Sequence, residues 1–495
     1  MVRDTMNAII DGVEVRQNLS KLRQEIKEDD AKMALLYQIG VNYEVFEKLL
    51  SHEDPKVRKN VALLIGDLGI QNLLQAIYEA YEKEDKLFVK SSYLTALKAL
   101  DYREYLPQLK ERLKRLSEEE ITEENQKHIA EESRAISDLI IMMEGIKAHK
   151  FTGEYETNDV VLLTNRNHIN VTLEELKDCK TKSFAAGVIA RTTDLEEVMK
   201  VRTFGELLFM VPKMTTCPND AVEAAKVIVE ANFVDYLAKR HSGKAPFYFR
   251  IELKSKMELD KKSAFTKKMA AEIERRTNRT LINSTSNYEV ELRLIQNKEG
   301  GYNILVKLFR LKDDRFAYRK EVEPTSIRPM NAALTMELVK DYLKEDAQIL
   351  DPFCGVGTML IERHKRVKAN TTYGIDIQAS AIDKAKVNTE AARQIIHYIN
   401  KDFFEFSHEY KFDEIITDMP MRIGRKTEEE IYEIYDRFFT KARTVLKEDS
   451  VMILYSHDRD FVKKLCNLHN VRIEKEFEIN MKEGTYVFVL QYRNM

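Results

Sequence analysis

Apolar residues recur at helical spacing through the first part of the chain, in Met33–Leu50, Val57–Leu68, Leu73–Tyr81 and Leu87–Leu100. They predict helices that each bury one face. Val57-Arg58-Lys59-Asn60-Val61-Ala62 aligns with Val89-Lys90-Ser91-Ser92-Tyr93-Leu94, and Leu68 with Leu100, a period of about 32 residues. Helix pairs repeated at such a period bury their faces only on neighbours, which gives a solenoid; a plain helical bundle is the alternative. The charged stretch Leu116–Arg134 reads as a solvated helix face.

From about residue 150 the pattern changes. Runs rich in β-formers appear at Val160–Thr164, Ala185–Arg191, Glu206–Val211, Phe247–Leu253, Tyr288–Ile295 and Tyr302–Phe309. Helical patterns lie between them at Leu173–Asp178, Leu195–Val201, Ala221–Ala238 and Ala264–Thr277, so this part is expected to be α+β. Beyond about residue 325, short apolar strands at Gln348–Leu350, Thr372–Ile375, Ile395–Ile399, Glu414–Thr417 and Val451–Tyr455 alternate with helical patterns. Such alternation predicts a parallel α/β sheet with helices on both faces. A final hairpin, Arg472–Ile479 and Thr485–Tyr492, closes the pattern with antiparallel strands. The chain therefore divides into 1–146, 150–324 and 325–495.

Composition changes this picture little. The chain has 495 residues, 44% hydrophobic and 33% charged, enough for several cores. No apolar run reaches the roughly 20 residues of a membrane span, and Met1–Asn18 does not read as a signal peptide. The four cysteines are scattered without a Cys-x-x-Cys, so neither a disulfide framework nor a metal site is expected, and a cytoplasmic location is. The net charge of −3 means that any nucleic-acid surface must be local.

The most informative stretch is Asp351-Pro352-Phe353-Cys354-Gly355-Val356-Gly357-Thr358, which follows a strand and opens a helix. Gly355 and Gly357 remove side chains where backbone must approach a ligand, and the helix N-terminus aims N–H groups at it. It is not a dinucleotide fingerprint, because the third glycine would fall at Leu360. Asp376, at the tip of the second strand, is placed to accept ribose hydroxyls. After the third strand, Asp402 is placed to accept from an adenine amine, with Phe403 beside the base. Acidic residues in order at three successive strand ends predict S-adenosylmethionine as the cofactor.

After the fourth strand stands Asp418-Met419-Pro420-Met421. An amine conjugated to a base is a poor nucleophile, and a carboxylate together with a backbone carbonyl can orient its lone pair toward a methyl group. These four residues are the catalytic candidates. With Asp351–Thr358 and Thr325-Ser326-Ile327-Arg328-Pro329, they make the last third of the chain resemble a family of RNA methylases that carry a THUMP domain ahead of the catalytic domain. Asp418-Met419-Pro420-Met421, followed by Arg425-Lys426, is similar to the variant seen in tRNA guanine-N2 methyltransferases. Phe247–Glu321 resembles, more faintly, the second half of a THUMP domain, and Asp54–Gly69 resembles a HEAT repeat. The resemblance implies that Ser326, Asp351, Phe353, Thr358 and Ile377 join the cofactor site. Met421 stands where the family has an aromatic ring to stack the extruded base.

Basic residues crowd between Lys239 and Arg279, among them Lys261, Lys262, Lys267, Lys268, Arg275 and Arg276. This reads as a phosphate footprint, the plain alternative being a solvated face. Arg422, Arg425 and Lys426 follow the catalytic motif and are candidates for phosphates flanking a flipped nucleotide. The expected activity is methylation of guanine N2 in structured RNA, tRNA before ribosomal RNA. The alternatives are an adenine or cytosine amine in RNA or DNA, or an RNA-binding scaffold on a retired enzyme fold. The helical module is expected to bind RNA or a protein partner.

Overall fold

The structure is a computed structural model that describes residues 2–119, 122, 124–145, 149–243, 245–422 and 427–493. It divides into two compact units, residues 1–148 with 273–281, and residues 149–272 with 282–495. Among the described residues, no helix is long and apolar enough to cross a membrane.

The first unit is a stack of helix pairs. The apolar run Met33–Leu50 is two helices, Asp29–Ile39 and Glu44–Leu50, broken at Gly40 with its φ of 56°. Helix Pro55–Leu68 starts on Asp54, whose side chain accepts from the Lys56 amide, and stops at Gly69 in the left-handed region. It packs on Leu87–Leu97, which in turn packs on Gln126–Glu144. The aligned positions Val57, Val61, Val89 and Tyr93 are all buried, so the period marks equivalent inward faces. Gly66 is required at the crossing, because a Cβ there would meet the Ala96 Cα at 2.7 Å.

The second unit begins with a mixed sheet in the order Lys180–Phe184, Gly187–Thr192, Asn158–Thr164, Phe204–Met210, Tyr302–Leu308, Val290–Gln296, Phe247–Lys254. The expected strand Ala185–Arg191 is the inner half of a hairpin. Its partner Lys180–Phe184 is an exposed edge of Lys, Thr and Ser residues, without the apolar alternation that would announce it.

The rest of this unit carries strands β1 (Ala347–Asp351), β2 (Ala369–Asp376), β3 (His397–Asn400), β4 (Phe412–Asp418), β5 (Leu446–Ser456), β6 (Val471–Asn480) and β7 (Thr485–Tyr492). Their order is β3-β2-β1-β4-β5-β7-β6, with β7 antiparallel to both neighbours. Neighbouring residues of a strand feed opposite layers: Ile349, Ile416 and Ile453 pack on one face, Leu350, Ile415 and Leu454 on the other. Apolar residues on both faces explain why these strands read as continuous apolar runs. β3 starts two residues later than expected, with Ile395 left 79% exposed. β5 starts five residues earlier, through the polar stretch Lys447–Ser450.

Candidate active site

The C-terminal ends of β1 to β4 open onto one cavity of about 660 Å³. Ser326, Asp351, Phe353, Gly355, Thr358, Asp376, Ile377, Asp402, Phe403 and Asp418-Met419-Pro420-Met421 all line it. Gly357 stands behind the wall, where a Cβ would come within 2.3 Å of the Tyr398 hydroxyl, and its φ is 82°. The glycines therefore serve two purposes. Gly357 lets the turn into helix Thr358–Arg366 pass over Tyr398, and Gly355 donates its amide to Asp376 Oδ2 at 3.0 Å. Asp376 Oδ1 accepts from the Gln378 amide at 2.8 Å, so the carboxyl is fixed at the β2 tip with its orientation set from both sides.

Two polar groups of the cavity wall are buried without a hydrogen-bond partner among the described residues, Thr358 Oγ1 and Asp418 Oδ1. Native interiors leave few such groups, and two at one cavity mark where a polar ligand is received. The carboxyls carry the same signature. Burial pushes Asp351 up to about 7, against the Thr417 hydroxyl and the Phe353 amide that favour its charged form. Burial pushes Asp418 well above the carboxylate range, and the nearby Asp351 adds to it. Burial raises Asp376 as well. A cavity with desolvated acids, a glycine turn and an open helix N-terminus fits a ligand that brings a cation, hydroxyls and a carboxylate together, as S-adenosylmethionine does.

Not every candidate side chain faces the cavity. The Met419 side chain is 2% exposed and packs in the core, while its amide donates to the Tyr455 carbonyl at 2.8 Å. Only its backbone is placed to meet a substrate. Phe403 is likewise 2% exposed and sits edge-on to Phe353; the neighbouring ring, Phe404, is the half-buried one at the rim. Asp402 Oδ1 accepts from the Phe404 amide at 2.9 Å and so fixes this turn. Arg422 is exposed, paired with Glu428 at 3.3 Å, and does not line the cavity. Arg425 and Lys426 lie outside the described residues.

None of the other basic candidates lines the cavity. Lys261, Lys267 and Lys268 are exposed on helix Leu259–Arg276, Lys262 is half-buried, and Lys261 pairs with Glu258. Arg275 and Arg276 fall in the segment grouped with the first unit. Reading along the chain missed Phe404, Ile434 and Arg437. The last two stand three residues apart on helix Glu428–Val445 and reach the cavity together.

Residues 317–486 match the family of RMKL-like methyltransferase domains. This segment is an S-adenosylmethionine-dependent methyltransferase domain. A carboxy-S-adenosyl-L-methionine synthase from Nautilia profundicola is 32% identical over 76 residues, which are 15% of this chain and 32% of that protein. The chain thus spans about a third of the length of that curated relative. Among solved structures, TrmN from Thermus thermophilus superposes with a TM-score of 0.51 at 16% identity, covering 68% of this chain and 99% of its own. A protein described as a predicted N6-adenine-specific DNA methylase from Listeria monocytogenes gives 0.51 at 14% identity, covering 69% and 97%. At such identities these likenesses speak for the fold, which in both extends well beyond the methyltransferase domain. The cofactor is S-adenosylmethionine, and Asp351, Asp376 and Thr358 offer polar groups that could hold it.

Proposed function

We propose that this protein methylates the exocyclic N2 amine of guanine in structured RNA, with tRNA the first candidate and ribosomal RNA the second. The observation that carries this reading is Asp418. Its carboxyl ends β4 inside the cofactor cavity, with Oδ1 buried and unpartnered among the described residues. S-adenosylmethionine supplies an electrophilic methyl group on a sulfonium centre. Asp418 Oδ1 and the backbone beside it accept the two hydrogens of the incoming amine and aim its lone pair. A carboxyl raised so far by burial is a strong proton acceptor once ionised, and a cation in the cavity favours the ionised form. Asp418 then takes the proton that the methylated amine must lose, so the charge that develops on nitrogen is met as it appears. Met421 at the rim, half-buried and polarizable, packs on the face of the extruded base.

In this reading the α+β part of the second unit is a THUMP-like RNA-binding module and the stacked helix pairs are HEAT-like, extending the RNA surface or docking a protein, in the cytoplasm. Lys261, Lys262, Lys267 and Lys268 bind phosphate. Reversing all four to Glu should weaken RNA binding and flatten its salt dependence, by about 0.7 to 0.9 in slope for each phosphate no longer neutralised. An unchanged slope would place the RNA elsewhere. The Listeria protein, similar in fold, is described as a predicted N6-adenine-specific DNA methylase. Asp418 itself does not distinguish one exocyclic amine from another, so the second reading is an adenine or cytosine amine in RNA or DNA. Incubating the full chain with S-adenosylmethionine and total tRNA, then digesting to nucleosides, decides between them. N2-methylguanosine is the expected product. Methyladenosine or methylcytidine would refute the guanine assignment and leave the fold and cofactor standing.

A further inference from the structure

At the tip of β3, Asp402 caps the short turn Phe403–Glu405. The turn sends one ring inward and leaves the Phe404 ring half-buried at the cavity rim. Helix Glu428–Val445 passes this rim and presents Ile434 and Arg437 on one face. The Arg437 guanidinium carbon lies 3.9 Å from the centre of the Phe404 ring. Arg437 is exposed and forms no ion pair with a carboxylate among the described residues. The same cavity is lined by Ile377, 68% exposed, a large apolar side chain left open at the β2 tip beside Asp376.

We propose that Arg437 is a specificity-determining residue of the cofactor site: with Phe404 it forms the outer wall of the adenine subsite, facing Ile377. A guanidinium laid on an aromatic ring without a counter-ion is flat, weakly hydrated and rotationally fixed, so it offers a plane for a purine rather than a point charge. Ile377 supplies the apolar face that an aromatic base covers, and Asp402 stands at the edge for the base's amine. An RNA phosphate is the other anion or surface that a free arginine could serve. The phosphate reading explains neither the seating on Phe404 nor the inclusion of both residues in the wall that also holds Asp402.

The test is calorimetric titration of S-adenosylhomocysteine into the full chain, which reads binding without turnover. Arg437→Ala should weaken binding about tenfold, and Arg437→Lys should recover little of it, because an ammonium keeps the charge and loses the plane. Phe404→Leu should cost a similar factor, and the double variant should lose less than the product of the two, since the pair acts as one wall. Arg437 is exposed, so its variants are expected to fold. An Arg437→Ala affinity within about twofold of wild type overturns the proposal, whether or not RNA binding falls instead. A wild-type chain that fails to bind S-adenosylhomocysteine would overturn the cofactor reading itself.

Discussion

Strand β4 carries an acid near each end, and the two have opposite surroundings. Glu414, at the start, is fully buried and held by Arg363, also fully buried, through Nε at 2.9 Å and Nη2 at 3.0 Å. Its Oε1 also accepts the Lys344 amide at 2.7 Å, and Arg363 donates two further N–H groups to the carbonyls of Lys344 and Val367. Asp418, at the end, has an oxygen buried with no partner among the described residues, and its proton affinity is raised well above the ordinary range. Burial by itself therefore says little about role. A buried charge whose bonds are all made belongs to the fold. A carboxyl oxygen buried with its bonds unmade is a candidate for completion by a ligand. One end of the sheet is closed chemistry, the other open.

Breaking the closed end should have the largest effect. Arg363→Ala strands a buried carboxylate, and the full chain should lose about 3–5 kcal/mol of stability by denaturant titration followed by circular dichroism. Arg363→Met with Glu414→Leu should recover most of the loss, since both desolvation penalties go together. A single variant as stable as wild type would mean that water reaches this pair. At the open end the effect should fall on rate instead. Asp418→Ala should lower methyl transfer about 100-fold with cofactor binding nearly intact, and Asp418→Asn should fall between. The stability effect has the opposite sign from Arg363. A carboxyl whose folded value is raised contributes stability below its unfolded value and loses it as pH rises toward the folded one. Asp418→Asn should thus melt higher than wild type at pH 7 and no higher at pH 3. An Asp418→Ala enzyme as fast as wild type would remove it from the chemistry.

The two ends were not equally legible along the chain. Asp351, Asp376 and Asp418 end their strands and Asp402 stands two residues past β3, so strand order alone brings them to one edge. Arg363 and Glu414 are 51 residues apart and meet only when helix Thr358–Arg366 packs against β4. Ile434 and Arg437 are in the same position, since nothing in the pattern of Glu428–Val445 says which face meets the cavity. Phe403 and Phe404 stand side by side, and only the packing of Phe353 and Phe438 decides which ring turns inward. The edge strand Lys180–Phe184 was invisible for a simpler reason: it buries almost nothing, so it has no apolar period to detect.

The smallest effect sharpens the comparison most, because it reads the charge state of the open end directly. Burial holds Asp351 up to about 7, so in the empty cavity it is largely neutral below that pH and ionised above it. S-adenosylmethionine carries a sulfonium charge and S-adenosylhomocysteine does not. Binding the cation favours the carboxylate, so below the empty-site value each molecule bound must release a proton. The affinity for S-adenosylmethionine should therefore fall by up to about tenfold per pH unit between pH 7 and 5.5. The affinity for S-adenosylhomocysteine should change much less over the same range. Asp351→Asn should flatten the first curve toward the second. Equal pH dependence for the two ligands would show that Asp351 does not sense the cofactor's charge, and that the raised acids at this end of the sheet answer to the substrate amine alone.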